Sequence, residues 1–335
     1  MKGPIENYLT EFQGKKIAII GDLVADQFLE GTISRVSREA PVFILRHDET
    51  RTLAGAAANA AVNVASLGGT PILVGVTGQD ANGNLLLETL RRSGVDCEHV
   101  IRGDDVKTTT KIRVLAGQHY APRQQVIRID YENPAPFSAG LNAQVEQNIR
   151  KVCEDADAVI ISDYNYGAAD PKFMTAVQSI ASTKDIPLLV DSRFRLLSFP
   201  DATSATPNQE EVENILGTNF SADDCGRLRE RLGYSSLLIT RGNKGMLLLE
   251  QGKEPYEIPV VGSDEPIDVT GAGDTVIAVY ALALACGASF RDAANLANHA
   301  GGIVVMKKGT ACVTPTELHA SLLENPQTKP TSSAA

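Results

Sequence analysis

The sequence contains no C-x-x-C pair: its five cysteines, Cys97, Cys153, Cys225, Cys286 and Cys312, are scattered, odd in number and without histidine at metal-ligand spacing. That excludes a disulfide framework or a zinc module and reads the thiols as reduced packing residues of a cytoplasmic protein. No apolar run approaches the roughly 20 residues that a membrane helix needs. The longest, 276–286, reads as a buried helix. Residues 1–13 are polar and mixed in charge, so no signal peptide is expected. An excess of basic residues is missing too: 31 Lys and Arg stand against 41 Asp and Glu, a net charge of -10. A surface of that sign opposes nucleic acid and anionic lipid and leaves a small molecule as the expected partner.

What the chain does have is apolar material, 43% over 335 residues, enough for one sizeable α/β domain with at most a small appendage. The run K-I-A-I-I-G over 16–21 ends at glycine, the pattern of a central parallel strand buried on both faces. Similar runs stand at 72–76, 158–162, 187–191 and 236–240, separated by helical patterns at 56–67, 82–93, 141–153, 171–182 and 222–232. This alternation predicts a doubly wound parallel sheet, whose ligands bind beyond the carboxyl ends of the strands. Asp22, Asp163, Asp191 and Thr240 fall at those ends. Two stretches, 28–51 and 108–131, are β-branched, alternate in polarity and lack helical period, which predicts a small β-sheet lid over a site. Small-residue helices are expected at 271–286 and 290–307. Residues 1–15 read as an N-terminal extension, 16–322 as the domain and 323–335 as a disordered tail.

The run Asp268-Val269-Thr270-Gly271-Ala272-Gly273-Asp274 leads directly into an apolar helix, so free backbone N–H groups and the positive end of a helix dipole meet one carboxylate. An acid beside an anion hole repels phosphate unless it has work to do, such as taking a proton from an attacking hydroxyl. Spacing alone is equally compatible with an ordinary Asp in a helix's first turn. Asn208 and Glu211, three residues apart at a strand-to-helix junction, can orient water around magnesium, though spacing alone favours a capping box. The segment 240–245, with Thr240, Gly242 and Gly245, lets backbone approach a nucleotide or is simply a hairpin turn.

G-A-G-D after D-x-T is the signature of carbohydrate kinases of the ribokinase (PfkB) superfamily, which this chain resembles over roughly 16–322. Further motifs are similar to one branch, the heptose 7-phosphate kinases: G-D-x-x-x-D (21–26), S-R-x-S-x-E-A-P-V (34–42), S-D-Y (162–164) and T-P-N-x-x-E (206–211). The resemblance implies a three-layer ribokinase-like fold and transfer of the ATP γ-phosphoryl to a sugar, with Asp274 as base and the amides of Gly271, Ala272 and Gly273 holding the developing charge. It implies sugar contacts from Asp22, Asp26, Gly55, Asn59 and Asp163. Nucleotide contacts would come from Asn208, Glu211, Thr240, Gly242, Gly245 and Asn298, and Asn208 and Glu211 would hold Mg²⁺ through water. A monovalent cation such as K⁺ beside the anion hole and a homodimer through the lid also follow from it. Arg35, Arg38, Arg113 and Arg128 lie in or beside the lid, where guanidinium groups can fork onto a sugar phosphate or stand solvated.

The chain departs from this pattern at three places. Gly55-Ala56 replaces a pair of glycines, Tyr166 stands where the branch has lysine in S-D-Y-x-K-G, and Asp191-Ser192-Arg193 replaces D-P-K, so that Arg193 would take a lysine's place on the substrate phosphate or the substrate differs. Residues 116–124 also look longer than in those kinases. Another sugar, sugar phosphate or nucleoside as acceptor stays open, as does a non-catalytic sensor on the same fold. A nicotinamide dehydrogenase would need G-x-G-x-x-G where this chain has Gly21-Asp22-Leu23-Val24-Ala25-Asp26.

Overall fold

The computed structural model describes residues 5–118, 123–133, 136–263 and 265–324. Six apolar runs form a parallel sheet of β1 (Lys16–Gly21), β4 (Thr70–Gly78), β5 (Val100–Gly103), β8 (Ala158–Asp163), β9 (Leu188–Ser192) and β10 (Ser204–Ala205), ordered β10-β9-β8-β1-β4-β5. Alternation along the strands divides their side chains between two cores. Ile17, Ile19 and Leu73 pack with α2 (Ala57–Ser66), α3 (Ala81–Arg92), α8 (Ala272–Ala285), α9 (Phe290–Val304) and α10 (Pro315–Glu324). Ala18, Ile20 and Val74 pack with α4 (Ala139–Asp155), α5 (Met174–Lys184), α6 (Gln209–Leu216) and α7 (Ala222–Leu232). The result is the expected three-layer doubly wound architecture, with α8 buried from Asp274 to Leu284.

The expected extension is not loose: α1 (Asn7–Glu11) and the following turn bury Tyr8 and Phe12 in the first core. Residues 325–335, the greater part of the expected tail, lie outside the described residues. The run at 236–240 is a strand, β11 (Ser236–Thr240), but it heads an antiparallel ribbon with β12 (Met246–Glu250) and β13 (Tyr256–Ile258). The reason is the turn that follows it. Gly245 adopts φ 77°, and the chain folds straight back instead of crossing over through a helix. A parallel bridge between Asn208 and Thr240 ties the ribbon to the main sheet's edge.

The lid is a four-stranded sheet, ordered β3-β2-β6-β7, of β2 (Leu23–Val36), β3 (Phe43–Ala56), β6 (Thr110–Gly117) and β7 (Gln124–Tyr131). Its first hairpin is longer than expected, running from Leu23 to Ala56 instead of 28–51. Asp26 and Gly55 therefore stand inside lid strands, not in the loop after β1. Among the described residues no helix is long and apolar enough to cross a membrane.

Candidate active site

Helix α8 starts at Gly271, which holds φ 79°; a Cβ there would sit 2.5 Å from Asn59 Nδ2. This turn needs glycine on both counts. No side chain caps the helix. The amide of Ala272 donates to the carbonyl of Val269 (3.2 Å), so the expected three-amide cradle narrows to Gly271 and Gly273, whose N–H groups make no hydrogen bond within the described residues. In the same first turn Asp274 is 3% exposed. Asn59 Nδ2 donates to its Oδ2 (2.9 Å) and the Tyr164 hydroxyl to its Oδ1 (3.0 Å). Burial raises the carboxyl to about 7, against the pull of these two donors and of Lys111, while the charge of Asp26 adds to the rise. A carboxylate poised near neutrality is suited to accepting a proton.

Several expected sugar ligands are engaged by the protein itself. Asp22 accepts the amides of Tyr164 (2.9 Å), Tyr166 (2.9 Å) and Ala168 (2.8 Å), so it clamps the loop after β8. Asp163, fully buried, pairs with Arg195 and accepts the Ser192 hydroxyl (2.7 Å). Asn59 aims the acid and holds the Gly271 carbonyl (3.2 Å). Asp26 pairs with Arg113 (2.5 Å). Gly55 is needed because a Cβ there would lie 2.5 Å from Asp26 Oδ2. Arg128 shares the inner face of the lid with Arg113, its register partner, but forks onto Asp130 of its own strand (2.9 Å twice). Arg35 and Arg38 stand exposed at the tip of the first hairpin. Arg193 is exposed, and its charge is felt at Asp191, Glu211, Tyr164 and Lys111, which places it at the mouth of the site.

Two cavities adjoin the turn that leads into α8. One, of about 490 Å³, gathers Asn208, Thr240, Gly242, Gly245, Asn298 and the helix start at Ala272 and Gly273. That unites every expected nucleotide residue except Glu211. Within it Asn298 donates to the Pro259 carbonyl (2.8 Å), and Gly245 answers a packing demand, since a Cβ would lie 2.0 Å from the Ile258 carbonyl. Asn208 and Glu211 form the full capping box of α6, so neither is held free for a metal. The second cavity, about 560 Å³, lies between the lid's inner face and residues 267–270 and 308–309. Arg51, Arg113, Arg123 and Lys308 outnumber Glu30 and Asp268 there.

Sequence reasoning missed Arg195, Lys111 and the hydroxyl of Tyr164. Lys111 Nζ lies 5.6 Å and 5.7 Å from the ring centroids of Tyr164 and Tyr166. The signals were present in the S-D-Y motif and in the alternation that puts Lys111 on one face with Arg113.

A start of helix with two free amides, a buried acid near neutrality and two cavities against the turn at 270–273 suits phosphoryl transfer between two small molecules. Residues 15–317 match the description "pfkB family carbohydrate kinase". The chain belongs to the pfkB family of carbohydrate kinases. That family is described as one of carbohydrate kinases. The Bifunctional protein HldE of Haemophilus influenzae (strain PittEE) is 36% identical over 326 residues, 96% of this chain and 66% of that protein. The protein of the same name from Geobacter metallireducens is 37% identical over 325 residues, covering 95% of this chain and 65% of its own length. This pfkB-family chain thus spans just under two-thirds of the length of these relatives. Arabidopsis thaliana ribokinase complexed with ribose and ATP superposes with TM-score 0.71 at 21% identity, over 92% of this chain and 99% of that one. Escherichia coli phosphofructokinase-2 in complex with substrates and products superposes with TM-score 0.74 at 16% identity, over 94% and 100%. The two superpositions establish the ribokinase-like fold.

Proposed function

We propose that this kinase transfers the γ-phosphoryl of ATP to the anomeric hydroxyl of D-glycero-β-D-manno-heptose 7-phosphate, giving the 1,7-bisphosphate. The observation that carries the reaction is the buried Asp274, aimed by Asn59 and Tyr164 at the uncapped start of α8. ATP enters the 490 Å³ cavity and the sugar lies toward the lid. Asp274 takes the hydroxyl proton as the sugar oxygen bonds to the γ-phosphorus. The bond from that phosphorus to the bridging oxygen breaks, and ADP leaves with the electron pair. The amides of Gly271 and Gly273 receive charge on the transferring group. The heptose assignment rests on similarity to the HldE relatives and on the motifs at 34–42 and 206–211.

The acceptor's phosphate would meet Lys308 and the ion-paired Arg51, Arg113 and Arg123 in the 560 Å³ cavity. For magnesium, Asp191 would supply the carboxylate, with Glu211 near it but committed to the α6 capping box. Burial raises the Asp191 carboxyl and the charge of Glu211 raises it further, a strain that a dication or its waters relieve. Bound there with ATP, magnesium would neutralise charge on the phosphates. A monovalent cation has an oxygen ready in the buried Thr310 hydroxyl, which has no partner among the described residues and whose side chain lies beside Gly271. The outer face of the lid exposes Ile127, Ile129 and Tyr131, an apolar strip suited to a second copy of the same face and so to a homodimer. A cytoplasmic location fits the free cysteines.

A second reading is favoured by Tyr166 and Arg193: a different sugar phosphate or a nucleoside as acceptor. ADP release with magnesium against heptose 7-phosphate, the unphosphorylated heptose, fructose phosphates, ribose and nucleosides decides between them. Turnover that depends on heptose 7-phosphate supports the proposal. Preference for another acceptor replaces the heptose, and silence across the panel points to a sensor.

A further inference from the structure

Asp274 has both carboxylate oxygens occupied, one by Asn59 and one by Tyr164. Tyr164 is itself built in. Its amide donates to Asp22 Oδ2 (2.9 Å), as does that of Tyr166, so the loop carrying both rings is anchored at the end of β1. Its hydroxyl stays protonated, because burial and the charge of Asp274 hold it well above the ordinary range. The same ring is covered from the opposite element: Lys111 of β6 places its ammonium 5.6 Å from the Tyr164 centroid and 5.7 Å from that of Tyr166. That cation is partly desolvated, and burial pulls its own proton affinity down, against the charge of Asp26.

We infer that Tyr164 is a positioning residue for phosphoryl transfer, donating its hydroxyl to Asp274 so that the base stays ionised and aimed, and that Lys111 makes this setting depend on the lid strand lying in place. The inference rests on Asp274 being the base. The charges that act on Asp274 are Asp26 on β2, which raises it, and Lys111 on β6, which lowers it. Asp191 on β9 feels the charge of Asp274 in turn, and Arg193 just after it acts on Asp191 and Tyr164. Tyr164 and Asn59 are the two neighbours that touch Asp274 directly.

The test is the acid limb of kcat/KM against pH, with Y164F, K111M, K111R and D274N compared with the wild type. Phe keeps the ring, its packing and the platform for Lys111, and removes only the donor. A hydrogen bond to a charged group carries about one pH unit here. In Y164F the limb should therefore move up by about one unit, with about tenfold less activity below pH 6.5 and a change within about twofold at pH 9. K111M should move the limb the same way, while K111R leaves it near the wild-type position. A uniform loss at all pH values in Y164F, or an unchanged profile, overturns the role of the hydroxyl. A limb that stays put in K111M overturns the dependence on the lid. Full turnover in D274N would instead remove the base itself, so the two failures are told apart by which variant shows them.

Discussion

At the scale of single residues, the proposed chemistry concentrates on a carboxyl that burial lifts to about 7. The sign of its effect on rate follows directly. Asp274 accepts a proton only when ionised, so kcat/KM should rise with pH through about 7 and level off above it, as a pH-rate profile in the free-enzyme regime would record. Ala56 shows a different kind of pressure, since it holds φ 56°, ψ -133° at the start of α2, a conformation that favours glycine. Ala56→Gly should stabilise the fold by about 1 kcal/mol, read from urea unfolding, as relieved strain outweighs the added freedom of the unfolded chain. Asp274 was legible in the sequence because its setting is local: glycines, a helix start and an acid within four residues. The loop that Asp22 clamps was hidden for the opposite reason. The amides that Asp22 holds lie 142 to 146 residues away, and nothing near Asp22 announces them. The Tyr164 hydroxyl, 110 residues from its partner, was hidden in the same way.

At the scale of elements, a strand's direction depends on the turn that follows it, and the turn at 241–245 is where the hairpin alternative sets β11 apart from the parallel runs. An apolar run of five residues looks the same in a parallel sheet and in an antiparallel ribbon. Gly245 decides between them, with φ 77° and no room for a Cβ against the Ile258 carbonyl. Gly245→Ala should cost at least ~2 kcal/mol in unfolding experiments and weaken ATP binding, because the ribbon that lines the nucleotide cavity shifts. An unchanged midpoint and an unchanged Kd for ATP would contradict that. The lid, by contrast, was readable from its alternation, though not its full length. Leu23–Phe28 is buried like any core strand, so alternation fades there and the boundary was set too late.

For the whole molecule, the two cores on either face of the sheet followed from strand and helix periods that the sequence displays openly. The lid's outer face is what those periods leave unpaired. Ile129→Glu, in an exposed strand that makes no core contact, should leave folding intact and turn a dimer into a monomer by light scattering after gel filtration. A monomeric wild type, or a dimer that survives the change, would remove the lid-mediated assembly. The central claim, that this fold delivers a sugar hydroxyl to Asp274, is tested most directly by acceptor-dependent ADP release from the wild type and D274N at pH 8 with magnesium. The account predicts turnover in the wild type, a kcat lower by about 10² to 10⁴ in the variant, and ATP binding preserved in both. Equal turnover in the two proteins would contradict it.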